Sequence, residues 1–228
     1  LARVHEVPGI ERIRFLTSHP KYFTDKLIQA IADLPKVCEH VNLPVQAGDD
    51  EVLRRMRRNY TVDEYRERIA RIRELIPDVT LSTDIIVGFP GETETQFLNT
   101  YRLLEEIRFD KVHVAMYSPR PGTLSARWVD DVPREEKRRR HRAIEELQER
   151  IARERNARYL GQTVEILVDG TARGRWRGRT RGNTLVFFDA PGHWKGRFVQ
   201  VRITQMSPWY LLGEPVAVEE PVAAGAAG

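Results

Sequence analysis

Short apolar segments alternate with amphipathic ones throughout the first 133 residues, and only a few folds accommodate that order. Apolar residues at strand periodicity predict four strands, and apolar residues at helical periodicity predict three helices between them. A repeated order of strand, helix and strand produces a parallel sheet with helices packed against it. The predicted strands are residues 12–18, 40–46, 79–88 and 111–118, and the predicted helices are residues 24–34, 61–76 and 93–107.

The number of strands restricts the form of that sheet. A closed barrel of alternating strands and helices needs eight strands, and this segment predicts four. The sheet is therefore either open or part of a larger barrel whose earlier strands lie outside this sequence. Two of the helices have clear starts, because Thr61 with Glu64 and Thr93 with Gln96 have the spacing of a capping box.

The segments after residue 133 follow a different pattern. Residues 134–158 predict a long, highly charged connecting helix with one narrow apolar seam. Residues 159–217 contain about five short strands separated by Gly, Pro and Asn turns, which predicts a small β-barrel of OB-like type. Residues 218–228 are mostly small and predict a flexible tail. The seam of the connecting helix consists of Ile144, Leu147 and Ile151.

The all-β segment carries the excess of positive charge. Residues 158–213 contain nine Lys or Arg against three Asp or Glu, whereas residues 1–133 contain 19 against 21. A basic patch on a small domain is typical of a nucleic-acid partner, although a solvated basic face would have the same composition.

An arginine-rich stretch at residues 173–183 contains side chains that could bind nucleic acid. Arginines spaced by two point to one face of a strand, where they can meet successive phosphates. Trp176, together with Phe187 or Trp194, would stack on unpaired bases. The alternative interpretation is a charged outer face of the barrel.

The cysteine and histidine content excludes several kinds of site. Cys38 is the only cysteine, so this chain can form no intrachain disulfide, cysteine-only zinc site or iron–sulfur cluster of its own. The histidines lack the clustered spacing of a metal site. No apolar run approaches the roughly 20 residues of a membrane span, and the first residues do not resemble a signal peptide, so we expect a cytoplasmic protein without a membrane partner.

Ligands of parallel α/β sheets bind beyond the carboxyl ends of the strands, so polar residues at those ends form the candidate site. The turn at residues 88–93 lacks the Lys-Ser/Thr ending of a phosphate-binding loop, and it predicts either a tight structural turn or a close backbone approach to a ligand. The loop at residues 118–123 leaves the same two interpretations open. The polar residues at the predicted strand ends are Thr17, Ser18, His19, Gln46, Ser82, Thr83, Asp84, Tyr117, Ser118 and Arg120.

Four segments of the α/β region, in this order, resemble the C-terminal half of radical S-adenosylmethionine (SAM) methylthiotransferases. They are residues 11–20 (ERIRFLTSHP), 40–61 (HVNLPVQAGDDEVLRRMRRNYT), 81–93 (LSTDIIVGFPGET) and 117–123 (YSPRPGT). Residues 178–189 and 196–214 are similar to the TRAM domain of that family, a small RNA-binding β-barrel. The resemblance covers nearly the whole chain.

The resemblance implies a fold, a reaction and its cofactors. It implies that residues 1–133 are the C-terminal strands of a six-stranded partial (βα) barrel, beginning at about its third strand. It also implies SAM and two [4Fe–4S] clusters held by residues outside this chain. One cluster would cleave SAM to a 5′-deoxyadenosyl radical, and the other would supply a methylated sulfur. The chain would then be a fragment that has no catalytic or metal-ligating residue of its own and is inactive alone.

Within the family, residues 43–56 (LPVQAGDDEVLRRM) resemble the branch that adds a methylthio group to C2 of N6-isopentenyl-adenosine beside the tRNA anticodon. The implied partners are a tRNA anticodon stem-loop and donors of sulfur and electrons, and the implied state is a monomer. Three alternatives stay open: the branch that acts on a ribosomal protein, the branch that acts on threonylcarbamoyl-adenosine, and an RNA-binding module without catalysis.

The resemblance also implies roles for individual residues. SAM binding is expected at the strand ends, and RNA binding is expected at arginines near those ends and in the all-β segment. The implied SAM-binding residues are Gln46, Ser82, Asp84, Val87, Gly88, Tyr117 and Ser118. The implied RNA-binding residues are Arg58, Arg120, Arg175, Trp176, Arg177, Arg179, Arg181 and Asn183.

Overall fold

The computed structural model describes residues 1–16 and 19–216 of the 228-residue chain. These residues form two compact units, one from Leu1 to Arg155 and a second that begins at Asn156. The predictions for Thr17, Ser18 and the tail at residues 218–228 fall outside the described residues. No helix within the described part of the chain is long and apolar enough to cross a membrane.

The first unit consists of helices packed on a parallel sheet. Its helices are α1 (Ala2–His5), α2 (Asp25–Asp33), α3 (Asp50–Arg55), α4 (Val62–Leu75), α5 (Glu94–Ile107) and α6 (Arg134–Asn156). Its strands are β1 (His40–Asn42), β2 (Thr80–Val87) and β3 (Lys111–Met116), paired in parallel in the order β1-β2-β3. The parallel sheet agrees with the prediction, but three strands are present among the described residues instead of four.

Both predicted capping boxes are present, at the starts of α4 and α5. The Thr61 hydroxyl accepts a hydrogen bond from the Glu64 N–H at 3.2 Å, and the Glu64 carboxylate accepts one from the Thr61 N–H at 2.7 Å. Thr93 and Gln96 form the equivalent pair of bonds at 3.3 and 3.0 Å. Each box satisfies two backbone N–H groups that the first helical turn leaves without a partner, so four residues are enough to predict the start of the helix.

The prediction of a strand at residues 12–18 is wrong for the described residues 12–16. Ile13 forms a single parallel bridge with Val37, in which the Ile13 N–H donates to Lys36 O and the Cys38 N–H donates to Ile13 O. The neighbouring segment cannot extend this ladder, because the Cys38 carbonyl and the His40 N–H, which the next rung would need, are bonded to each other at 2.8 Å. A strand needs an extended neighbour, and the sequence of residues 12–18 holds no information about its neighbour.

The second predicted strand, residues 40–46, is paired as a regular strand only over β1. The regular ladder is interrupted after Leu43, whose N–H donates to Ser82 O at 2.8 Å, and Pro44 lies within the interruption. The Thr83 hydroxyl of β2 spans the interruption, since it accepts from the Val45 N–H at 3.0 Å and donates to Leu43 O at 2.9 Å. The segment therefore stays beside β2 after the regular strand ends.

Parallel pairing resumes at Gln46, which forms a bridge with Ile85 of β2. The Gln46 N–H donates to Asp84 O at 2.9 Å, and the Ile86 N–H donates to Gln46 O at 3.0 Å. The φ angle of Gln46 is 74°, in the left-handed region that costs a residue with a side chain about 1–2 kcal/mol. Two strand hydrogen bonds thus hold a strained residue beside the carboxyl-terminal half of β2.

β2 divides its side chains between two faces of the sheet. Leu81, Ile85 and Val87 are fully buried in a core that includes residues of α2, α4 and α5. The opposite face carries Asp84 and Ile86, which are only half-buried. The seam of α6 packs into the same core through Ile144, Leu147 and Ile151. Helices therefore cover one face of the sheet and leave the other available for a site.

The second unit is a closed barrel of five strands in the order β4-β5-β6-β8-β7. The strands are β4 (Thr163–Ala172), β5 (Arg175–Arg179), β6 (Leu185–Phe188), β7 (Phe198–Met206) and β8 (Leu211–Pro215). Neighbouring strands are antiparallel except for β6 and β8, which are parallel. Alternate residues such as Ile166, Val186 and Val201 fill the core. The prediction of a small five-stranded barrel is confirmed.

Candidate functional site

A cavity of about 710 Å³ opens at the carboxyl-terminal halves of β2 and β3. Its strand residues belong mainly to the face of the sheet that the helices leave uncovered. The predicted site residues that line it are Gln46, Arg58, Asp84, Tyr117, Ser118 and Arg120. These residues come from separate stretches of the chain, and the sheet brings them together because its parallel strands all end on the same side.

The floor of the cavity follows from the register of β2 and β3. Asp84 pairs with His113, and Ile86 pairs with Ala115, so these four side chains share one face of the sheet. Asp84 and His113 supply polar groups, while Ile86 and Ala115, one step closer to the strand ends, supply an apolar surface. A planar ring can lie on the apolar pair while a polar substituent reaches the carboxylate.

His113 lines the cavity and was missed by the sequence analysis. Burial lowers the pKa of its imidazole, Lys111 lowers it further, and Asp84 acts in the opposite direction. The imidazole is therefore neutral at physiological pH and can donate one hydrogen bond and accept another. Strand periodicity alone could not identify it, because it shows that residues 113 and 115 share a face but the pairing with β2 is needed to place that face at the cavity.

Thr83 and three further predicted site residues on the first unit lie away from the cavity lining. Ser82 is on the face of Asp84 but donates its hydroxyl hydrogen to Asn42 Oδ1 at 2.8 Å. Val87 is fully buried in the core on the opposite face. His19 accepts a hydrogen bond from the Lys21 N–H at 3.3 Å, which starts a short helical turn. We therefore assign no ligand contact to these residues.

Gly88, also predicted to meet a ligand, meets a protein side chain instead. Its φ is +70°, and an added Cβ would lie 2.3 Å from Lys137 Cγ. The Gly88 N–H donates to the Glu92 carboxylate at 2.5 Å, and the same carboxylate accepts from Arg140 at 2.9 Å. Lys137 forms an ion pair with Asp130 at 2.5 Å. Glycine is required here because the aliphatic part of Lys137 fills the space that a side chain would take.

Tyr117 forms one wall of the cavity. Its ring meets Phe89 edge to face with 5.2 Å between centroids, and the Lys137 ammonium lies 5.2 Å from the ring centroid. Its N–H donates to Val87 O at 2.8 Å. Its hydroxyl is buried and has no hydrogen-bond partner within residues 1–16 and 19–216. A buried hydroxyl without a partner is costly, so a ligand that supplies a partner there would gain affinity.

Arginines dominate the charge of the cavity. Asp84 is the one carboxylate among the described residues that line it. Arg58 and Arg120 were predicted from the sequence, whereas Arg55 and Arg57 were not. The signal was present as two consecutive Arg-Arg pairs at residues 54–58, but the sequence did not show that both pairs flank one cavity. The excess of guanidinium groups favours a ligand or substrate that carries an anionic group, such as a carboxylate or a phosphate.

The arginines predicted to bind RNA occupy one face of β5 in the second unit. They are Arg175, Arg177 and Arg179. Arg177 forms an ion pair with Asp169 at 2.8 Å, and Arg175 forms one with Asp189 at 3.3 Å. Exposed ion pairs of this kind contribute little stability, so a phosphate can replace the carboxylate at small cost.

Arg181 and Asn183 lie in the turn that joins β5 to β6. Asn183 has a φ of 68°, a conformation that asparagine tolerates better than most residues. Its carbonyl accepts a hydrogen bond from the Arg179 guanidinium at 3.1 Å. Asn183 thus shapes the turn and orients an arginine of β5.

Trp176 and Trp194 are engaged by the barrel itself. Alternation along β5 directs Trp176 away from the arginine face, and its indole N–H donates to Ala190 O at 3.1 Å. Trp194 is buried in the barrel core and donates to Pro191 O at 2.7 Å. The Trp194 indole is therefore enclosed by protein groups, whereas Trp176 is half-buried.

Other aromatic residues present more surface near the arginine face. Phe187 of β6 lies opposite Arg177 in the strand register and meets Tyr210 edge to face with 5.5 Å between centroids. The adjacent Trp209 is 53% exposed. The Ser207 hydroxyl accepts from the N–H groups of Trp209 and Tyr210 at 3.1 Å, which fixes the turn. Trp209 was not among the residues predicted from the sequence, although it begins an aromatic pair directly after a Ser-Pro turn.

Comparisons with known proteins agree with both units. Residues 1–104 match the radical SAM superfamily, and residues 157–216 match the TRAM domain. The chain is 58% identical over 217 residues to the tRNA-2-methylthio-N(6)-dimethylallyladenosine synthase of Roseiflexus sp. (strain RS-1). The aligned segment covers 93% of this chain and 46% of that protein. The chain therefore contains a radical SAM domain and a TRAM domain, and it is similar over most of its length to about half of that synthase. The resemblance inferred from the sequence motifs is therefore confirmed.

Two more proteins with the same name show how much of such a methylthiotransferase this chain represents. The one from Chloroflexus aurantiacus is 56% identical, over 94% of this chain and 47% of its own length. The one from Herpetosiphon aurantiacus is 53% identical, over 96% of this chain and 52% of its own length. The chain thus spans about half the length of the curated relatives it matches.

Proposed function

We propose that this chain is part of a tRNA methylthiotransferase that adds a methylthio group to C2 of N6-isopentenyl-adenosine beside the anticodon. The supporting observation is a cavity at the carboxyl ends of a parallel sheet, in a chain 58% identical to a protein named for that modification. The first unit would then contribute the later strands of a partial (βα) barrel, completed by strands outside this chain.

SAM fits the residues of the cavity. A volume of about 710 Å³ is within the range of small-molecule sites. Ile86 and Ala115 would carry the adenine ring, and Gln46 and Asp84 would bind the ribose hydroxyls or the amino group. The buried Tyr117 hydroxyl has no hydrogen-bond partner among the residues that the structure describes, and a ligand could supply one. Bound SAM would supply a 5′-deoxyadenosyl group for radical chemistry, and these residues would orient it and exclude water.

Iron–sulfur clusters do not fit the residues of this chain. Cluster irons need several cysteine thiolates, and Cys38 is the sole cysteine. It is buried and is not among the residues that line the cavity. The two [4Fe–4S] clusters of the family would be held by residues outside this chain, so we expect no turnover from the chain alone.

RNA binding is the role that we assign to the second unit. Basic residues outnumber acidic ones nine to three between residues 158 and 213, and the arginines of β5 share one face. The expected partner is a tRNA anticodon stem-loop in the cytoplasm, and separate donors would supply sulfur and electrons to a monomeric enzyme. Phosphate contacts would make the affinity fall steeply as salt increases.

A second candidate function is RNA binding without catalysis, which the single cysteine favours. The branches that act on threonylcarbamoyl-adenosine or on a ribosomal protein are alternatives within the family. Each of these branches should bind its own substrate more tightly than RNA that contains isopentenyl-adenosine, so affinity measurements can distinguish them from the proposed function.

Binding experiments on the 228-residue chain would test the proposal. Calorimetry would measure SAM binding, and fluorescence anisotropy would measure binding of anticodon hairpins that carry isopentenyl-adenosine, threonylcarbamoyl-adenosine or adenosine. We expect saturable SAM binding and the tightest RNA binding with isopentenyl-adenosine. RNA binding without SAM binding would favour the non-catalytic module, tightest binding of threonylcarbamoyl-adenosine would favour that branch, and absence of both kinds of binding would overturn the proposal.

A further inference from the structure

A second depression adjoins the cavity on the first unit. It has a volume of about 370 Å³ and is lined by Glu51, Arg54, Arg55, Arg57, Leu124 and Trp128. Four of these residues also line the cavity, so the two spaces share a wall. We propose that this outer depression binds one nucleotide adjacent to the modified adenosine, an assignment that rests on the proposed function.

The charge of the outer depression favours a phosphate group. Its single carboxylate, Glu51, is engaged by Arg54 through two hydrogen bonds of 2.6 and 2.8 Å. Arg55 and Arg57 form no ion pair with any described residue, so two positive charges remain unbalanced. A nucleotide phosphate would neutralise part of this charge, and guanidinium groups suit phosphate oxygens in geometry as well as in charge.

Arg55 is held in place without being neutralised. Its guanidinium carbon lies 5.5 Å from the ring centroid of Trp128 and 6.0 Å from that of Phe89. An added Cβ at Gly91 would lie 2.4 Å from Arg55 Nη1, so the guanidinium packs directly on the backbone of that glycine. Aromatic rings and a glycine backbone orient the cation and leave its charge available to a ligand.

Arg57 occupies a position that normally favours glycine. It lies two residues after the end of α3 with a φ of 57°, and its N–H donates to Arg54 O at 3.0 Å. Its side chain is exposed. Strain of about 1–3 kcal/mol at a non-glycine residue of this kind is found preferentially at ligand sites. The side chain at this position is therefore more consistent with binding than with packing.

The apolar part of the depression suits a base. The Trp128 ring is half-buried and is fixed by an edge-to-face contact with Phe89, with 5.7 Å between centroids. Leu124 beside it is exposed. An indole next to guanidinium groups is the combination that binds unpaired nucleotides, because the base stacks on the ring while the phosphate meets the cation. An inorganic anion would contact only the arginines and leave the Trp128 ring unused, so a nucleotide fits the depression better.

The shared wall determines which nucleotide is bound. Arg55, Arg57, Leu124 and Trp128 border both the cavity and the outer depression, so a base that enters the cavity beside SAM lies next to the occupant of the outer depression. Consecutive nucleotides of one strand meet this condition, because a single sugar-phosphate link can cross the wall. The nucleotide in the outer depression is therefore directly 5′ or 3′ to the adenosine that enters the cavity.

Binding of chemically altered hairpins to the full 228-residue chain tests this inference. The hairpins carry isopentenyl-adenosine, and the nucleotide on either side is in turn replaced by an abasic site or joined through an uncharged methylphosphonate. We expect the abasic change on one side to weaken binding about tenfold, the effect of losing one stacked base. Trp128→Leu should abolish that difference, and Arg57→Gln should abolish the effect of the methylphosphonate on the same side.

Controls separate failure of this inference from failure of the proposed function. Arg153→Gln removes an exposed arginine of α6 whose one ion pair among the described residues is with Glu149, so it should leave all of these differences in affinity unchanged. If intact hairpins bind but abasic sites on both sides have no effect, the inference is wrong and RNA binding stands. If Trp128→Leu weakens intact and abasic hairpins equally, the residue is only structural and the inference is again wrong. If no hairpin binds, the proposed function fails and the inference fails with it.

Discussion

Arg140 and Glu92 form an ion pair of 2.9 Å in which the two side chains are only 5% and 1% exposed. The Glu92 carboxylate also accepts from the Gly88 N–H at 2.5 Å, so the pair ties the turn after β2 to α6. Burial raises the pKa of Glu92, while the Gly88 N–H and the Arg140 guanidinium lower it. Because this turn borders the cavity through Phe89, the ion pair supports the site without lining it.

Removing one partner of this pair should destabilise the chain strongly. Arg140→Met should lower the free energy of unfolding by about 3–5 kcal/mol, because it leaves a buried carboxylate without its cation. The double variant Arg140→Met, Glu92→Leu should recover much of that loss, since no buried charge remains. Urea denaturation followed by circular dichroism would measure both values. A double variant no more stable than Arg140→Met alone would contradict this account.

Asp84 and Ser82 lie on the same face of β2 but should respond differently in SAM binding. Asp84→Asn should weaken SAM binding about tenfold or more, because it removes the charge from a hydrogen-bond acceptor in the cavity. Ser82→Ala should leave the affinity unchanged, because the Ser82 hydroxyl is bonded to Asn42. Isothermal titration calorimetry would measure both affinities. Equal effects of the two substitutions would show that the floor of the cavity is assigned incorrectly.

Trp209 should contribute to RNA binding by the barrel. Trp209→Ala should weaken binding of an anticodon hairpin about tenfold, because an exposed indole near the arginine face can stack on a base. Leu160→Ala is a matched control, since Leu160 is a 52% exposed apolar residue of the same unit. Fluorescence anisotropy would measure the affinities. Equal losses from the two substitutions would exclude a specific role for the indole.

Glu136 should make stability depend on pH in the acidic range. Hydrogen bonds from Arg139 and then Arg140 lower its pKa from 4.5 to about 2, against the opposing effect of burial. Because this pKa is lower in the folded chain, Glu136 stabilises the fold above pH 4.5, and that contribution is lost as the pH falls towards 2. Glu136→Gln should therefore lower the free energy of unfolding by about 0.5–1 kcal/mol at neutral pH and by less as the pH decreases.

Urea denaturation at a series of pH values would measure this difference. Glu135→Gln is the matched control, because Glu135 lies in the same first turn of α6 and forms no ion pair with the described residues. The control should show no comparable pH dependence. A Glu136→Gln effect that stays constant from neutral to acidic pH would contradict the assignment.

Local sequence signals predicted the parts of the fold that depend on few residues. The capping boxes at Thr61 and Thr93 each need four residues, and both are present. The common face of the arginines of β5 could be predicted from the two-residue period of a strand alone. The segment at residues 12–18 had an equally clear strand pattern, but its neighbour is extended only around Val37, and strand pairing depends on both partners.

The candidate site could be predicted only in part, because strand ends are visible in a sequence and strand register is not. Gln46 and Asp84 were selected as polar residues at strand ends, and both line the cavity. Ser82 was selected by the same rule, yet its hydroxyl is bonded to Asn42. His113 was missed because its place on the floor depends on its pairing with Asp84 across two strands.

The sequence by itself determined the order of the elements, the family, and the concentration of positive charge in the second unit, because these properties depend on residues that are close together in the chain. Only the tertiary structure decided which residues share a cavity. Gly88 packs against Lys137 of α6, and Arg55 lies against Trp128 from a distant loop. Such contacts arise when the core packs distant segments against one another, and no local pattern encodes their distances.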